Sequence, residues 1–222
     1  MQVSTSEPPT SSALRDFLDR SPCPYAQRAS VLHCGSWPDP RPLPERIDGL
    51  RAGLLELGGG DAGDLLVLEF KGADRLKTPR EAAALVHALL CGLRARDPSC
   101  SSPLTHGIDS PDWDFLHGGE KLFVSLFAPF YPSVHSRCSG HDSIGFVLFQ
   151  PERSFRRYGV SSQRPRREQL SRAVHRRFLR EGKDYDVRLN ARTSKALRFV
   201  KPLRKGDPPV AWWQVPYEAE VG

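Results

Sequence analysis

The chain is poor in the features that mark several common protein classes. Its five cysteines are odd in number and include no Cys-x-x-Cys pair, which argues against a secreted disulfide framework and a cysteine-rich zinc module. No apolar run approaches the roughly 20 residues that a membrane-spanning helix needs. Residues 1–12 also lack the basic and apolar segments of a secretory signal. We therefore expect a cytoplasmic protein with reduced thiols and no membrane span.

The sequence also lacks the motifs of the commonest nucleotide-binding and hydrolytic enzymes. There is no Walker phosphate loop, no Gly-x-Ser-x-Gly nucleophile elbow and no His-Glu-x-x-His zinc motif. A dinucleotide site needs its glycines between a strand and a helix. The glycines of LGGGDAGD (57–64) follow a predicted helix and precede a predicted strand. We interpret them as a turn.

Positive charge is concentrated near the C-terminal end. The chain has a formal net charge of +6, yet residues 153–205 alone hold 18 Lys and Arg against four Asp and Glu, a balance of +14. Such a run indicates either a solvated basic face or a surface for nucleic acid, an anionic cofactor or an acidic partner. Nucleic acid is not favoured, because no recognised motif accompanies the arginines. The arginines concerned are Arg156, Arg157, Arg164, Arg166, Arg167, Arg172, Arg176, Arg177 and Arg180.

Apolar periodicity and capping residues predict the helices. Helical spacing is found in SSALRDFLDR (11–20), which begins with a Ser cap, and in PERIDGLRAGLLELGGG (44–60), which ends in glycines. The strongest prediction is TPREAAALVHALLCGLRARD (78–97), because Thr78, Pro79 and Glu81 form a capping pattern. A fourth helix, RREQLSRAVHRRFLREG (166–182), is predicted to turn Leu170, Val174 and Phe178 inward, with His175 or Leu179 beside them.

The strands predict the fold class. We expect strands in ASVLHCGSW (29–37) and DLLVLEF (64–70), and an antiparallel pair in GGEKLFVSLFAPFYP (118–132) and SIGFVLFQP (143–151). Helices interspersed with four to five strands indicate an α+β or mixed α/β domain. We predict a single domain over 13–222, with a mostly antiparallel central sheet flanked by helices. A flexible tail (1–12) precedes it, and its C-terminal part is basic from about residue 153.

The connection inside FAPFYPSVHSRCSGHDSIGFVLFQP (127–151) holds more chemistry than a turn requires. Gly, Pro, Ser and Asp suffice to connect two strands, which leaves Tyr131, His135, Arg137, Cys138 and His141 unexplained. Zinc ligation by His135, Cys138 and His141 lacks a fourth ligand. Haem fits the residue types better: His135 suits the iron, Arg137 suits a propionate, and aromatic rings suit the macrocycle. Those rings are Phe127, Phe130 and Tyr131. Ordinary hydrogen bonding is the commonest role of loop histidines and stays open.

Three segments together resemble the YqcI/YcgG family. They are SPCPYA (21–26), PDWDFLHGGEKLFVSLFAPFYPSVHSR (111–137) and FVLFQPERSF (146–155), and the resemblance spans roughly residues 15–183. In one respect the chain departs from the pattern, since relatives often have a histidine nearer the loop proline, where this sequence has Tyr131 before Pro132. The positions that match the family's motifs are Cys23, Tyr25, Trp113, Phe115, His135, Arg137, Phe149 and Gln150.

The resemblance implies a haem-dependent oxygenase. Family members of this kind N-hydroxylate amino-acid or guanidino substrates, which implies haem b, O2, an external electron donor and a small amine or guanidino substrate here. By the same resemblance His135 is the axial iron ligand and Arg137 binds a propionate, with Tyr131, Phe130 and Cys23 also at the cofactor. A homodimer that shares the site is compatible with the sequence. The alternatives are a non-catalytic haem-binding or haem-sensing protein and a basic nucleic-acid-binding module.

Several site residues have a second interpretation. Cys23 suits a thiolate iron ligand, but it also suits a small buried residue at a helix end. Cationic substrates favour carboxylates such as Asp112, Asp114 and Glu120, which are otherwise turn and surface residues. His87 and Cys91 have the i, i+4 spacing of metal ligands, but core packing is the commoner role in an apolar helix. Core or rim positions are expected for Trp113, Phe115, Trp212 and Trp213.

Overall fold

Six α-helices and five β-strands make up the part of the chain that the computed structural model describes. That part comprises residues 11–23, 26, 29–37, 43–58, 63–97, 100, 103–104, 106–157, 164–192 and 194–216, without the side chains of 33–37, 43–46, 164–168 and 190–192. The helices are α1 (Ser12–Asp19), α2 (Leu43–Gly58), α3 (Pro79–Ala95), α4 (Glu152–Arg157), α5 (Arg164–Arg180) and α6 (Val187–Arg192). The strands are β1 (Val31–Trp37), β2 (Leu65–Lys71), β3 (Phe115–His117), β4 (Glu120–Phe127) and β5 (Ile144–Pro151).

The strands form one mixed sheet in the order β1-β2-β5-β4-β3. Only β1 and β2 pair in parallel, and the crossover that parallel strands require is α2. The other three pairs are antiparallel. This mostly antiparallel sheet with its helices is a single α+β domain, as the sequence predicts.

Alternating side chains of β2 divide the core between the two faces of the sheet. Leu66, Leu68 and Phe70 lie in the larger cluster, which also contains the buried residues of α2 and α3. Leu65 and Val67 point to the opposite face, where α1 packs. This period of two is what an extended strand imposes on any sequence. Both faces of β2 are therefore covered by helices.

Helix caps lie where the sequence places them. The Ser11 hydroxyl accepts a hydrogen bond from the Leu14 N–H, and α1 starts at the next residue. Thr78 and Glu81 form the reciprocal capping box at the start of α3, with Pro79 in the first turn. The predicted ends of α1, α2 and α3 are confirmed to within two residues. Of the predicted flexible tail, residues 1–10 lie outside the described residues.

Some elements differ from the prediction. Strand β4 ends at Phe127 and not at residue 132, because Pro129 and Pro132 have no N–H for a sheet ladder. Strand β3 is only three residues long and forms by pairing with β4, so its own sequence carries little period-two signal. The short helices α4 and α6 are likewise additions.

On α5, Phe178 is buried while Leu179 is 54% exposed. The prediction that Leu179 points inward is therefore wrong. The α5 arginines whose side chains the structure describes lie on the outer face or at its edge. None of the described helices is long and apolar enough to span a membrane.

Candidate functional site

The residues between β4 and β5 fold back on themselves. The Ala128 N–H donates to the Arg137 carbonyl at 3.1 Å, and the Ser139 N–H donates to the Ala128 carbonyl at 3.3 Å. This closure is a two-residue bridge directly beyond the end of β4. The loop therefore folds back over the end of β4, and its side chains Tyr131, His135 and Arg137 are buried.

Two contacts tie this loop to the C-terminal part of the chain. The Asp184 N–H donates to the Val134 carbonyl at 2.6 Å. The buried Tyr131 hydroxyl donates to the Lys201 carbonyl at 2.7 Å, and burial raises the pKa of Tyr131 well above its ordinary value. Tyr131 is therefore protonated at neutral pH, and its hydroxyl holds the loop against the C-terminal part of the chain. Residues that are 70 positions apart in sequence form one site.

His135 is buried and neutral. Its ring stacks on Tyr131 with centroids 4.3 Å apart, and burial, aided by the charges of Lys201 and Arg137, lowers its pKa to about 3. Its Nδ1 accepts a hydrogen bond from the Arg137 backbone N–H at 3.1 Å. The ring proton is then on Nε2. The ring also hydrogen-bonds the Pro202 carbonyl.

This hydrogen-bond pattern is the inverse of that of a metal-ligating histidine. Such a histidine donates an N–H from its second nitrogen, which leaves the first nitrogen's lone pair for the metal. In His135 the second nitrogen is an acceptor, so Nε2 carries a proton where iron needs a lone pair. Ligation by His135 stays a prediction, and it requires the Arg137 N–H to be released.

Arg137 is a deeply buried cation of the site. Its Nη2 donates to the Arg198 carbonyl at 3.0 Å, and its guanidinium lies 4.8 Å from the centre of the Phe127 ring. Burial lowers its pKa to about 10, so it is still charged at neutral pH. Its Nη1 is buried and has no hydrogen-bond acceptor among the described residues. A buried donor without an acceptor is rare in native proteins and suits an anionic ligand group.

Lys201 and Tyr185 belong to the site, although the sequence did not single them out. Lys201 is 5% exposed, and its Nζ lies 3.1 Å from the Ser136 Oγ and 5.1 Å from the centre of the Tyr185 ring. Burial and the charge of Arg137 lower its pKa to about 7. Burial likewise raises the pKa of Tyr185. The signal in the sequence was a lysine directly after the apolar pair Phe199-Val200.

Cys23 converges on the same place from the N-terminal part of the chain. It is half-buried and lies close enough to Arg137 and Tyr185 to influence the pKa of both. Phe130 is also half-buried, and its ring centre is 4.2 Å from that of Tyr131. The structure thus brings together all five predicted cofactor residues. Tyr25, which also matches the motif pattern, lies outside the described residues.

A small cleft opens beside His135 and Lys201. Its enclosed volume is about 20 Å³, room for about one water molecule, and the rest of the cleft is open to solvent. Ser136, Asp186, Arg204 and Lys205 also line it. The cleft suits a small ligand, and it does not by itself enclose a macrocycle.

The other candidate ligand sets are not assembled. His141 is drawn to α1, where its Nε2 lies 3.1 Å from the Ala13 carbonyl, and Cys138 packs against the main core. No group of three His, Cys, Asp or Glu side chains suited to a metal ion occurs among the described residues. His87 Nδ1 contacts the Val215 carbonyl at 2.8 Å, as the packing interpretation expects.

The candidate substrate carboxylates lie at the far end of β4. Asp114 pairs with Lys121 at 2.7 Å, and Glu120 pairs with Arg153 at 2.8 Å. Strand β4 separates them from the loop that follows Phe127. Trp113, Phe115 and Trp212 are buried in the main core, and Trp213 packs against it. The core interpretation of these four residues is confirmed. Two further motif positions, Phe149 and Gln150, lie on β5, where Phe149 is buried.

The chemistry of the donor set fits part of a haem. The buried Nη1 of Arg137 suits a propionate, and the Cys23 thiol is an iron ligand of a known kind. His135 fits less well, because its Nδ1 accepts a hydrogen bond. Iron ligation by Cys23, the other predicted ligand, stays a prediction.

The comparisons with known proteins identify the family. The family model described as the YqcI/YcgG family matches residues 59–189, which is more than half of the chain. The chain belongs to this family. No curated protein and no solved structure matches it.

Proposed function

We propose that this YqcI/YcgG protein is a haem-binding, oxygenase-like protein that uses O2 to N-hydroxylate an amino-acid or guanidino substrate. Its cofactor would be haem b, with electrons from an external donor. The observation that carries the proposal is the buried Arg137 Nη1, which lacks an acceptor among the described residues and lies in a cluster with a half-buried thiol. A cytoplasmic location, where thiols stay reduced, is part of the same proposal.

The residues of the site divide the work as follows. Arg137 is charged at neutral pH and would hold a propionate. Cys23 would supply a thiolate to the iron, with His135 as the alternative ligand. When bound, haem supplies an iron centre that takes up electrons and O2 and oxidises an amine or guanidine nitrogen.

Tyr131 and His135 would form one wall of the proposed haem pocket. Both are buried, and both are uncharged at neutral pH because of the directions in which burial moves their pKa values. Their stacked rings give a flat, apolar surface that excludes water. The Tyr131 hydroxyl fixes that surface to the Lys201 carbonyl.

An absorption spectrum of protein expressed with a haem precursor tests the proposal. We expect a Soret band in the wild type, a shifted or lost band in Cys23→Ala, and weaker haem retention in Arg137→Gln. The matched control is His141→Ala, a histidine of the same loop that bonds α1. A Soret band that changes in His135→Ala but not in Cys23→Ala would mean that His135, and not Cys23, is the iron ligand. No band after haem titration would overturn the proposal.

Turnover separates the oxygenase from a haem-binding or haem-sensing protein. Haem-loaded protein is supplied with a reductant, O2 and a panel of amines and guanidines, and N-hydroxylated products are sought by mass spectrometry. We expect a product with at least one member of the panel. A Soret band without any product would favour the sensing function. Size-exclusion chromatography with light scattering would show whether the site is shared in a homodimer.

A further inference from the structure

Three basic side chains lie close enough to influence one another's pKa near the 128–141 loop. Arg137 is 6% exposed and Lys201 is 5% exposed. Arg198 is half-buried beside them, and its charge lowers the pKa of both. Like charges held together out of water oppose folding, since each loses hydration and repels the others. A native protein retains such a cluster where an anion offsets it.

The compensation that the protein itself offers is incomplete. The groups that act on the charge of Arg137 are Tyr131, Tyr185, Cys23 and Arg198, and none of them is a carboxylate. The buried Arg137 Nη1 has no acceptor among the residues that the structure describes. Around this guanidinium the neighbouring groups are a carbonyl and an aromatic ring, which offset only part of a buried charge.

Lys201 is in a comparable position. Its Nζ bonds the Ser136 hydroxyl and faces the Tyr185 ring. The carboxylate that acts on it is Asp186, whose Oδ1 already accepts hydrogen bonds from the Arg188 and Leu189 N–H groups. The cleft is lined by Lys201, so a ligand can reach this member of the cluster from solvent. Arg204 and Lys205, both exposed, line the same cleft and add positive field along that route.

We propose that the cluster of Arg137, Arg198 and Lys201 is a binding site for a small oxyanion, a carboxylate or a phosphate group, which enters through the cleft beside Lys201. The site is a property of the haem-free chain and does not rest on the proposed function. A haem that fails to bind and an anion that fails to bind are separate results.

Binding of the anion has a second consequence, which is proton uptake. Burial, with the charges of Arg137 and Arg198, lowers the pKa of Lys201 to about 7 and leaves it partly deprotonated at neutral pH, while Asp186 acts in the opposite direction. His135 and Tyr185, which also face it, are uncharged at this pH. An anion beside these cations favours the charged form of Lys201, so the protein takes up protons as the ligand binds.

Isothermal titration calorimetry on the haem-free full chain tests the inference. Inorganic phosphate and malonate are titrated at constant ionic strength near pH 7, which distinguishes the phosphate from the carboxylate source. We expect saturable binding of at least one of them, with heats that differ between buffers of low and high ionisation enthalpy. Absence of binding by both at millimolar concentrations would overturn the site.

Variants locate the binding. Lys201→Gln should weaken it about tenfold or more, because a charge-assisted hydrogen bond is lost. The control Arg94→Gln removes an exposed positive charge from α3 and should leave the affinity within about twofold. Equal weakening in both variants would mean that the anion merely follows net charge, and the proposal would fail.

A milder variant covers the case in which Lys201→Gln does not fold, as judged by circular dichroism. Ser136→Ala leaves every charge in place and removes the hydroxyl that positions the Lys201 Nζ. We expect a loss of about threefold in affinity, as for one neutral hydrogen bond. Unchanged affinity together with no proton uptake would overturn the proposal.

Discussion

The two ends of the β4–β5 hairpin hold basic side chains in different surroundings. At the end near Glu120 and Pro151, Arg153 pairs with Glu120 at 2.8 Å, and Arg157 pairs with Asp64 at 2.9 Å. At the opposite end, the Arg137 guanidinium contacts a carbonyl and an aromatic ring. The first end uses its charges to join α4 to the sheet. The second end holds a buried guanidinium that pairs with no carboxylate among the described residues, and this difference is what points to a ligand.

At constant pH, the largest effect of a single substitution is expected at the paired end. Asp64 is 3% exposed, so Arg157→Ala removes a cation that pairs with a buried carboxylate. We expect a loss of about 3 kcal/mol in the free energy of unfolding, at the lower limit for a broken buried pair because Arg157 is itself half-exposed. Urea denaturation measures it. Arg176→Ala, on the exposed face of α5, is the control and should stay within about 0.5 kcal/mol. An equal loss of stability in the two variants would show that the Arg157–Asp64 pair does not stabilise the fold as argued.

The end of the hairpin that carries the 128–141 loop depends on close packing between β5 and β2. Gly145 on β5 faces Phe70 on β2, and a Cβ there would lie 2.1 Å from the ring. Gly145→Ala should therefore cost about 2 kcal/mol by overpacking. Gly49→Ala in α2, where no atom lies within 4 Å, should instead stabilise by about 0.5–1 kcal/mol. Thermal unfolding of the two variants compares them, and a neutral Gly145→Ala would contradict the packing argument.

The charge of Lys201 should make stability depend on pH. Its pKa is about 7 in the folded protein and 10.5 ordinarily, so the unfolded state binds more protons between these values. The stabilising contribution is then fully present above about pH 10.5 and is lost as the pH falls to about 7. Relative to Lys201→Met, the wild type should gain up to about 1.4 kcal/mol per pH unit in this window. Parallel pH profiles of the two proteins would refute this.

The smallest effect is expected for Arg137 itself. Arg137→Met removes a buried charge and one hydrogen bond to the Arg198 carbonyl, and it leaves no carboxylate uncompensated. We expect a change within about 1 kcal/mol in either direction. Urea denaturation beside Arg157→Ala gives the direct comparison. If Arg137→Met proves the more destabilising of the two, Arg137 is a structural residue and the two ends do not differ as argued.

Much of the fold follows from local signals in the sequence. The capping box of Thr78 and Glu81 predicts the start of α3 because both partners lie within one helical turn. Phe127 ends β4 because the prolines that follow cannot continue a ladder, a rule that the sequence prediction applied too weakly. Strand β3 could not be predicted, since three residues gain their stability only from the neighbouring strand.

The sequence by itself determined the α+β class, the family, and five residues that the structure brings together: Cys23, Phe130, Tyr131, His135 and Arg137. Residue types and short spacings carry that information. Only the tertiary structure decided which ring nitrogen of His135 holds the proton, and that Lys201 and Arg198 join Arg137. Desolvation and like-charge repulsion depend on distances between residues far apart in the chain, and no local pattern records those distances.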